Sequence, residues 1–287
     1  GISSESSMSS ASTSSSSSST TSTASTGLSP LAPRGLRRTE AVERNIRFIG
    51  ADKVWRQGFA GKGAVIAIID TGVNARHPAV ANAYRGKDQG DDYNWLDAVA
   101  GQDAPVDVND HGTHVAGIAL GKQGSREIGV APEAQWIACR IFAQDRGTTK
   151  AILDCLQWAI APTKRDGSAP RPDLAPDIIN ASWGTFGRLF CDNPFPAEAA
   201  IHSLVTAGVL FVAAAGNDGP RCGSVCPPGS LADAFTVGNY DDEKRRMSDT
   251  SSRGPFPTGS GDRIKPDVAA PGENITSSIG TSQYDVK

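Results

Sequence analysis

Basic charge is not in excess, histidine and methionine are scarce, and no apolar run is long. Across 287 residues there are 28 Lys and Arg against 31 Asp and Glu, a formal net charge of −3. That balance excludes the broad basic face that holds a phosphate backbone, so no nucleic-acid partner is expected. The longest apolar stretch, Ala207–Gly216, has ten residues. A helix crossing a bilayer needs about 20, so no membrane span is expected. The four histidines form no His-Glu-x-x-His pair, and the five cysteines form no Cys-x-x-Cys pair. Both common zinc signatures are therefore missing.

The cysteines present are Cys139, Cys155, Cys191, Cys222 and Cys226. Cys222 and Cys226 flank a Gly-Ser-Val turn, and Cys191 lies between two elements. These positions predict at least one disulfide, and the odd count leaves at least one thiol unpaired or paired with a cysteine beyond these residues. Of the first 27 residues, 20 are Ser or Thr. Such a tract cannot build a core, so residues 1–33 read as a disordered tail, linker or O-glycosylated stalk. Residues 34–287 remain, enough for one large domain.

Within that domain the pattern alternates. Apolar residues at Val42, Ile46, Ile49 and Val54-Trp55 give Arg38–Gly58 a helical spacing. Ala64–Ile69 is apolar on both faces, as a central parallel strand is. Further strands are predicted at Trp136–Ile141, Ile178–Ala181, Val209–Ala214 and Ala234–Val237, with helices at His111–Leu120, Thr148–Ile160 and Ala197–Ala207. Strands alternating with helices give an α/β fold with a mostly parallel sheet and helices on both faces. Such sheets carry their functional groups at the carboxyl ends of the strands.

Three candidates for chemistry follow from that placement. Asp70, in Asp70-Thr71-Gly72, ends the first buried strand. An Asp there also suits a helix cap. An aspartic protease would need a second Asp-Thr-Gly or Asp-Ser-Gly, which the chain lacks. His111 opens a helix rich in small residues, in Asn109-Asp110-His111-Gly112-Thr113-His114. It suits a general base, with His114 as a structural neighbour. A metal held by His111, His114 and Asp110 would want a further ligand. Asn217 follows the strand ending in Ala214-Ala215-Gly216, where a rigid amide N–H can stabilise an oxyanion or merely form a turn.

Taken in order, Asp70-Thr71-Gly72, His111–Gly117, Gly129-Val130-Ala131-Pro132, Ser182-Trp183-Gly184, Ala215-Gly216-Asn217 and Lys265–Gly272 resemble the subtilisin-like serine proteases, the subtilases. Asn45-Ile46-Arg47, Gly50–Trp55 and Ser251–Pro255 are similar to the secreted bacterial, bacillopeptidase F-like branch of that family. The resemblance implies a three-layer α/β sandwich, a polypeptide substrate, a secreted monomer and no catalytic cofactor. It implies that Asp70 orients His111, that His111 is base and then acid, and that Asn217 donates to the oxyanion. Ser182, Trp183 and Gly184 would line one wall of the specificity pocket and could pair with an extended peptide. Ala214, Ala215 and Gly216 would line the other, with room for a large apolar side chain.

Two features depart from the family. Its nucleophile sits in Gly-Thr-Ser-Met-Ala at the start of a buried helix. Here Gly280-Thr281-Ser282 continues as Gln283-Tyr284-Asp285, too polar for that helix. Ser277–Lys287 therefore reads as the loop ahead of the true motif. The expectation is that the serine lies beyond Lys287, that the domain is incomplete at its C-terminus, and that this chain alone is inactive. A non-catalytic peptide-binding pseudo-protease is the alternative. Family members often bind structural calcium. Gly121–Ile128 is short with two basic residues, and the acidic Asp88–Tyr93 reads more simply as a solvated loop, so no metal site is assigned.

Overall fold

The computed structural model describes residues 42–144, 146–185, 191, 194–259 and 261–286. The Ser/Thr tract, Arg38–Ala41 and Lys287 lie outside the described residues. The helical spacing at the start of the domain becomes two short helices, α1 (Arg44–Ile49) and α2 (Ala51–Trp55), separated at Gly50. Strand β1 (Val65–Asp70) follows and lies inside an eight-stranded sheet.

The other strands of that sheet are β2 (Trp95–Asp97), β3 (Gln135–Arg140), β4 (Ile178–Ala181), β5 (Leu210–Ala214), β6 (Phe235–Asp241), β7 (Arg246–Met247) and β8 (Val268–Pro271). Their order is β7-β6-β5-β4-β1-β3-β2, with β8 also on β6. Every pairing is parallel except β6 with β7. The longer helices are α3 (His111–Leu120), α4 (Thr149–Ile160) and α5 (Glu198–Thr206). The Thr148 hydroxyl caps α4 by accepting from Ala151 N at 3.1 Å.

Side chains alternate across the sheet and build a core on each face. Ala67, Ile69, Ile137, Cys139, Ile179, Ala181, Phe211 and Ala213 pack with α4 and α5. Ile66, Ile68, Trp136 and Ala138 pack on the opposite face with Ala116 and Leu120 of α3. The result is an α/β subtilisin-like sandwich of three layers, as the resemblance implied. Cys139 of β3 and Cys155 of α4 are joined in a disulfide across the first interface.

Among the described residues, the α3 face is well covered over β1 and β3 and more exposed toward β5, β6 and β8. Through the parallel registers, Ile66 lies beside Ile178, Ile178 beside Leu210, Val212 beside Phe235, and Val237 beside Val268. All of these side chains share the α3 face. Ile66 is buried there, while Leu210, Phe235 and Val268 are 47 %, 40 % and 44 % exposed.

Ser277–Lys287, read as a loop from sequence, contains a β-hairpin instead: β9 (Thr276–Ile279) pairs antiparallel with β10 (Gln283–Val286). Its polarity concealed it. Buried Ser277 and Ser278 donate their hydroxyls to the carbonyls of His114 and Thr113 at 2.7 and 2.8 Å, docking β9 along α3.

Candidate active site

Asp70 has the same parity on β1 as Ile66 and Ile68, so its carboxylate emerges on the α3 face at the strand's carboxyl end. There His111 Nδ1 lies 2.7 Å from Asp70 Oδ1. The carboxylate is fully buried, while the imidazole is 43 % exposed. Asp70 Oδ1 also accepts from Thr71 N at 2.7 Å. A carboxylate can only accept, so Nδ1 carries the proton, and in the neutral imidazole the lone pair is on Nε2. That is the tautomer a general base requires.

The close approach depends on Gly112. A Cβ at this position would sit 2.0 Å from the Gly72 carbonyl oxygen and 3.1 Å from Asp70 Cβ. Any larger residue would push α3 off the end of β1. A second link, absent from the sequence reading, joins the same two elements. Gly112 N donates to Thr71 Oγ1 at 2.9 Å, and Thr71 Oγ1 donates to Asp107 Oδ1 at 2.8 Å. Asp107 Oδ2 in turn accepts from Thr113 N at 2.7 Å and from the Thr113 hydroxyl at 2.5 Å. The signal for Asp107 was an Asp followed by a turn, since Asn109 N and Asp110 N both fold back to its Oδ1 at 3.0 Å.

The other predicted residues gather around one cleft. Ser182, Trp183 and Gly184 line one side, Ala214, Ala215, Gly216 and Asn217 the other, with Thr185, Asp218, Ser224 and Cys226 completing it. Its volume is about 420 Å³ including the open mouth. Asn217 lies three residues beyond the end of β5 and is exposed. Gly216 makes the turn with φ of 102°, a conformation that favours glycine, and its carbonyl accepts from Ser252 N at 3.0 Å. Trp183 is buried, and its indole N–H donates to Ile69 O at 2.9 Å. A disulfide joins Cys226 in the cleft to Cys191.

The remaining histidines have other surroundings. His77 is buried, with Nε2 2.8 Å from Gln283 O and Nδ1 accepting from Ala79 N at 3.1 Å. His202, on α5, lies 3.0 Å from Asp233. His114 is buried within α3. Among the described residues no group of three or more His, Cys, Asp or Glu is arranged to hold a metal ion. In the acidic segment, Asp91 accepts from the Tyr84 hydroxyl and Asp92 from Arg165 N. Gly121–Ile128 contains a short antiparallel pair with a Lys122–Glu127 ion pair at 2.9 Å. No described helix is long and apolar enough to cross a membrane.

Residues 61–287 match the model of the subtilase family. Over 266 residues the chain is 38 % identical to bacillopeptidase F of Bacillus subtilis (strain 168), an alignment covering 88 % of this chain and 18 % of that protein. It is 33 % identical over 247 residues to the serine protease AprX of the same organism, covering 82 % and 52 %. It is 31 % identical over 244 residues to the major intracellular serine protease of that organism, covering 83 % and 67 %. The chain thus spans less than a fifth of the first of these relatives and about half of the second. With the sheet order, the His111–Asp70 contact and the family match in agreement, the chain belongs to the subtilase family.

Proposed function

We propose that the domain hydrolyses peptide bonds as a serine endopeptidase, with Asp70 and His111 serving a serine supplied from outside residues 1–287. The observation that carries this reading is the 2.7 Å contact between buried Asp70 and half-exposed His111 at the strand end. His111 takes the proton of the attacking hydroxyl at Nε2 and returns it to the leaving amine. Asp70 holds the imidazole in the required tautomer and stabilises the imidazolium. Asn217 donates its amide N–H to the oxyanion, and the cleft beside it takes the substrate side chain. Nucleophile, base and oxyanion donor are all protein groups, so the chemistry needs no cofactor.

Two features support an external serine. Ser282 occupies the exposed turn of the β9–β10 hairpin rather than the start of a helix. Ser277 and Ser278 are buried and already donate to α3 carbonyls. Leu210, Phe235 and Val268, exposed on the α3 face among the described residues, are where an apolar helix carrying the nucleophile would pack. The two disulfides support secretion, the names of the relatives ranging from a "minor extracellular protease" to an intracellular one. A monomer acting on polypeptides is the proposed working form.

The test is hydrolysis of a fluorogenic peptide by this chain extended through the residues its gene encodes after Lys287. Activity should appear in the extended chain and vanish in His111→Ala. Asn217→Ala should lower kcat about 10²–10³-fold, the loss typical of one missing oxyanion donor. Peptide binding without turnover in the extended chain would favour a pseudo-protease instead.

A further inference from the structure

We propose that Asp107 is the positioning residue that sets the His111–Asp70 contact, acting through Thr71 and Thr113. The inference rests on the reading of Asp70 and His111 given above. Its basis is a convergence of five donors on one carboxylate. Asp107 Oδ1 accepts from Thr71 Oγ1, Asn109 N and Asp110 N at 2.8, 3.0 and 3.0 Å. Oδ2 accepts from Thr113 N and Thr113 Oγ1 at 2.7 and 2.5 Å. Each threonine hydroxyl has a single proton, and both protons point at Asp107. Their lone pairs are then open to the surrounding N–H groups. Thr71 Oγ1 accepts from Gly112 N at 2.9 Å, and Thr113 Oγ1 accepts from Asn74 N at 2.9 Å.

Sequence adjacency gives this network its consequence. Thr71 follows Asp70, and Gly112 follows His111. The relay Gly112 N–H to Thr71 hydroxyl to Asp107 therefore clamps the two peptide units that carry the pair. The same carboxylate ties down the Asn109 and Thr113 N–H groups on either side of Asp110, whose φ of 67° makes the sharp entry into α3. The first turn of a helix leaves such N–H groups without intrahelical partners. Here they are answered by one acceptor that also reaches β1.

Only an acceptor on both oxygens serves all five donors. An asparagine would turn an NH₂ toward at least two of them, and a glutamate would carry the carboxylate one methylene too far. Asp107 itself need not touch the substrate or the reacting atoms, which is why it is assigned to positioning and not to catalysis.

The test uses the 287-residue chain labelled at its four histidine side chains with ¹⁵N, with His111→Gln assigning the His111 signals. The readout is the low-field Nδ1–H resonance of His111, which Asp70→Asn should abolish. Asp107→Asn should also abolish it, while circular dichroism and the melting transition still show a folded domain. Thr71→Val removes the relay hydroxyl without a new donor and should weaken the same resonance. The proposal is overturned if the resonance is unchanged in both Asp107→Asn and Thr71→Val. It is equally overturned if both variants fail to fold, since the network would then be structural only. An unchanged resonance in these two that still disappears in Asp70→Asn overturns the role of Asp107 and leaves the Asp70–His111 reading intact.

Discussion

The Trp183 indole N–H donates to the carbonyl of Ile69 at 2.9 Å, tying the wall of the cleft to the residue before Asp70. The two residues are 114 positions apart in sequence. The cleft wall is therefore bonded to β1 directly beside Asp70.

Trp183→Phe should expose that connection. The variant keeps most of the buried ring but removes the donor. We expect a loss of about 1–3 kcal/mol in urea unfolding, the usual cost of deleting one partner of a buried hydrogen bond. A midpoint equal to that of the wild type would show that the indole N–H contributes nothing.

His77 gives the fold a dependence on pH. It is buried between Ala79 N, which donates to Nδ1, and Gln283 O, which accepts from Nε2. Burial holds its pKa below the ordinary value of 6.5. The unfolded chain therefore binds a proton, over a window below 6.5, that the folded chain refuses. Its stabilising contribution is complete above the unfolded value and is lost as pH falls through the lowered folded value. Protonation would also set an N–H at Nδ1 against Ala79 N–H and break that bond, while the Nε2–H bond to Gln283 O is kept. Unfolding midpoints measured from about pH 8 to about pH 5 should fall more steeply in the wild type than in His77→Gln. Parallel profiles for the two proteins would contradict this assignment.

The cysteines make a separate prediction. Cys139 pairs with Cys155, Cys191 with Cys226, and Cys222 is free and exposed. A thiol reagent applied to the native oxidised chain should modify Cys222 alone. Peptide mapping should find the two disulfides as stated, and removal of either should cost about 2–5 kcal/mol. Modification of Cys139 or Cys155 under native conditions would refute the pairing.

Local sequence carried much of this architecture. The predicted helix at His111–Leu120 matches α3, because His-Gly-Thr-His and the small residues after it leave little choice of face. β1 was legible as an unbroken apolar run, and the position of Asp70 at its end followed directly. What was not legible depends on distant partners. Asp107 gains its meaning from Thr71, 36 residues away, and Trp183 from Ile69. The β9–β10 hairpin was hidden because its buried positions are serines whose polarity is answered by helix carbonyls. A hydrophobic pattern cannot report a strand that docks through hydroxyls. The cysteine pairing was equally out of reach, since spacing alone leaves several connectivities open.

Asp70 and His111 are proposed to serve a serine from outside residues 1–287. The most direct measurement is intact-mass and peptide mapping after treatment with a fluorophosphonate, on this chain and on the chain extended past Lys287. No adduct is expected on residues 1–287, with one adduct on a serine in the extension and its loss in His111→Ala. An adduct on Ser282, or on any other serine of the present chain, would contradict it.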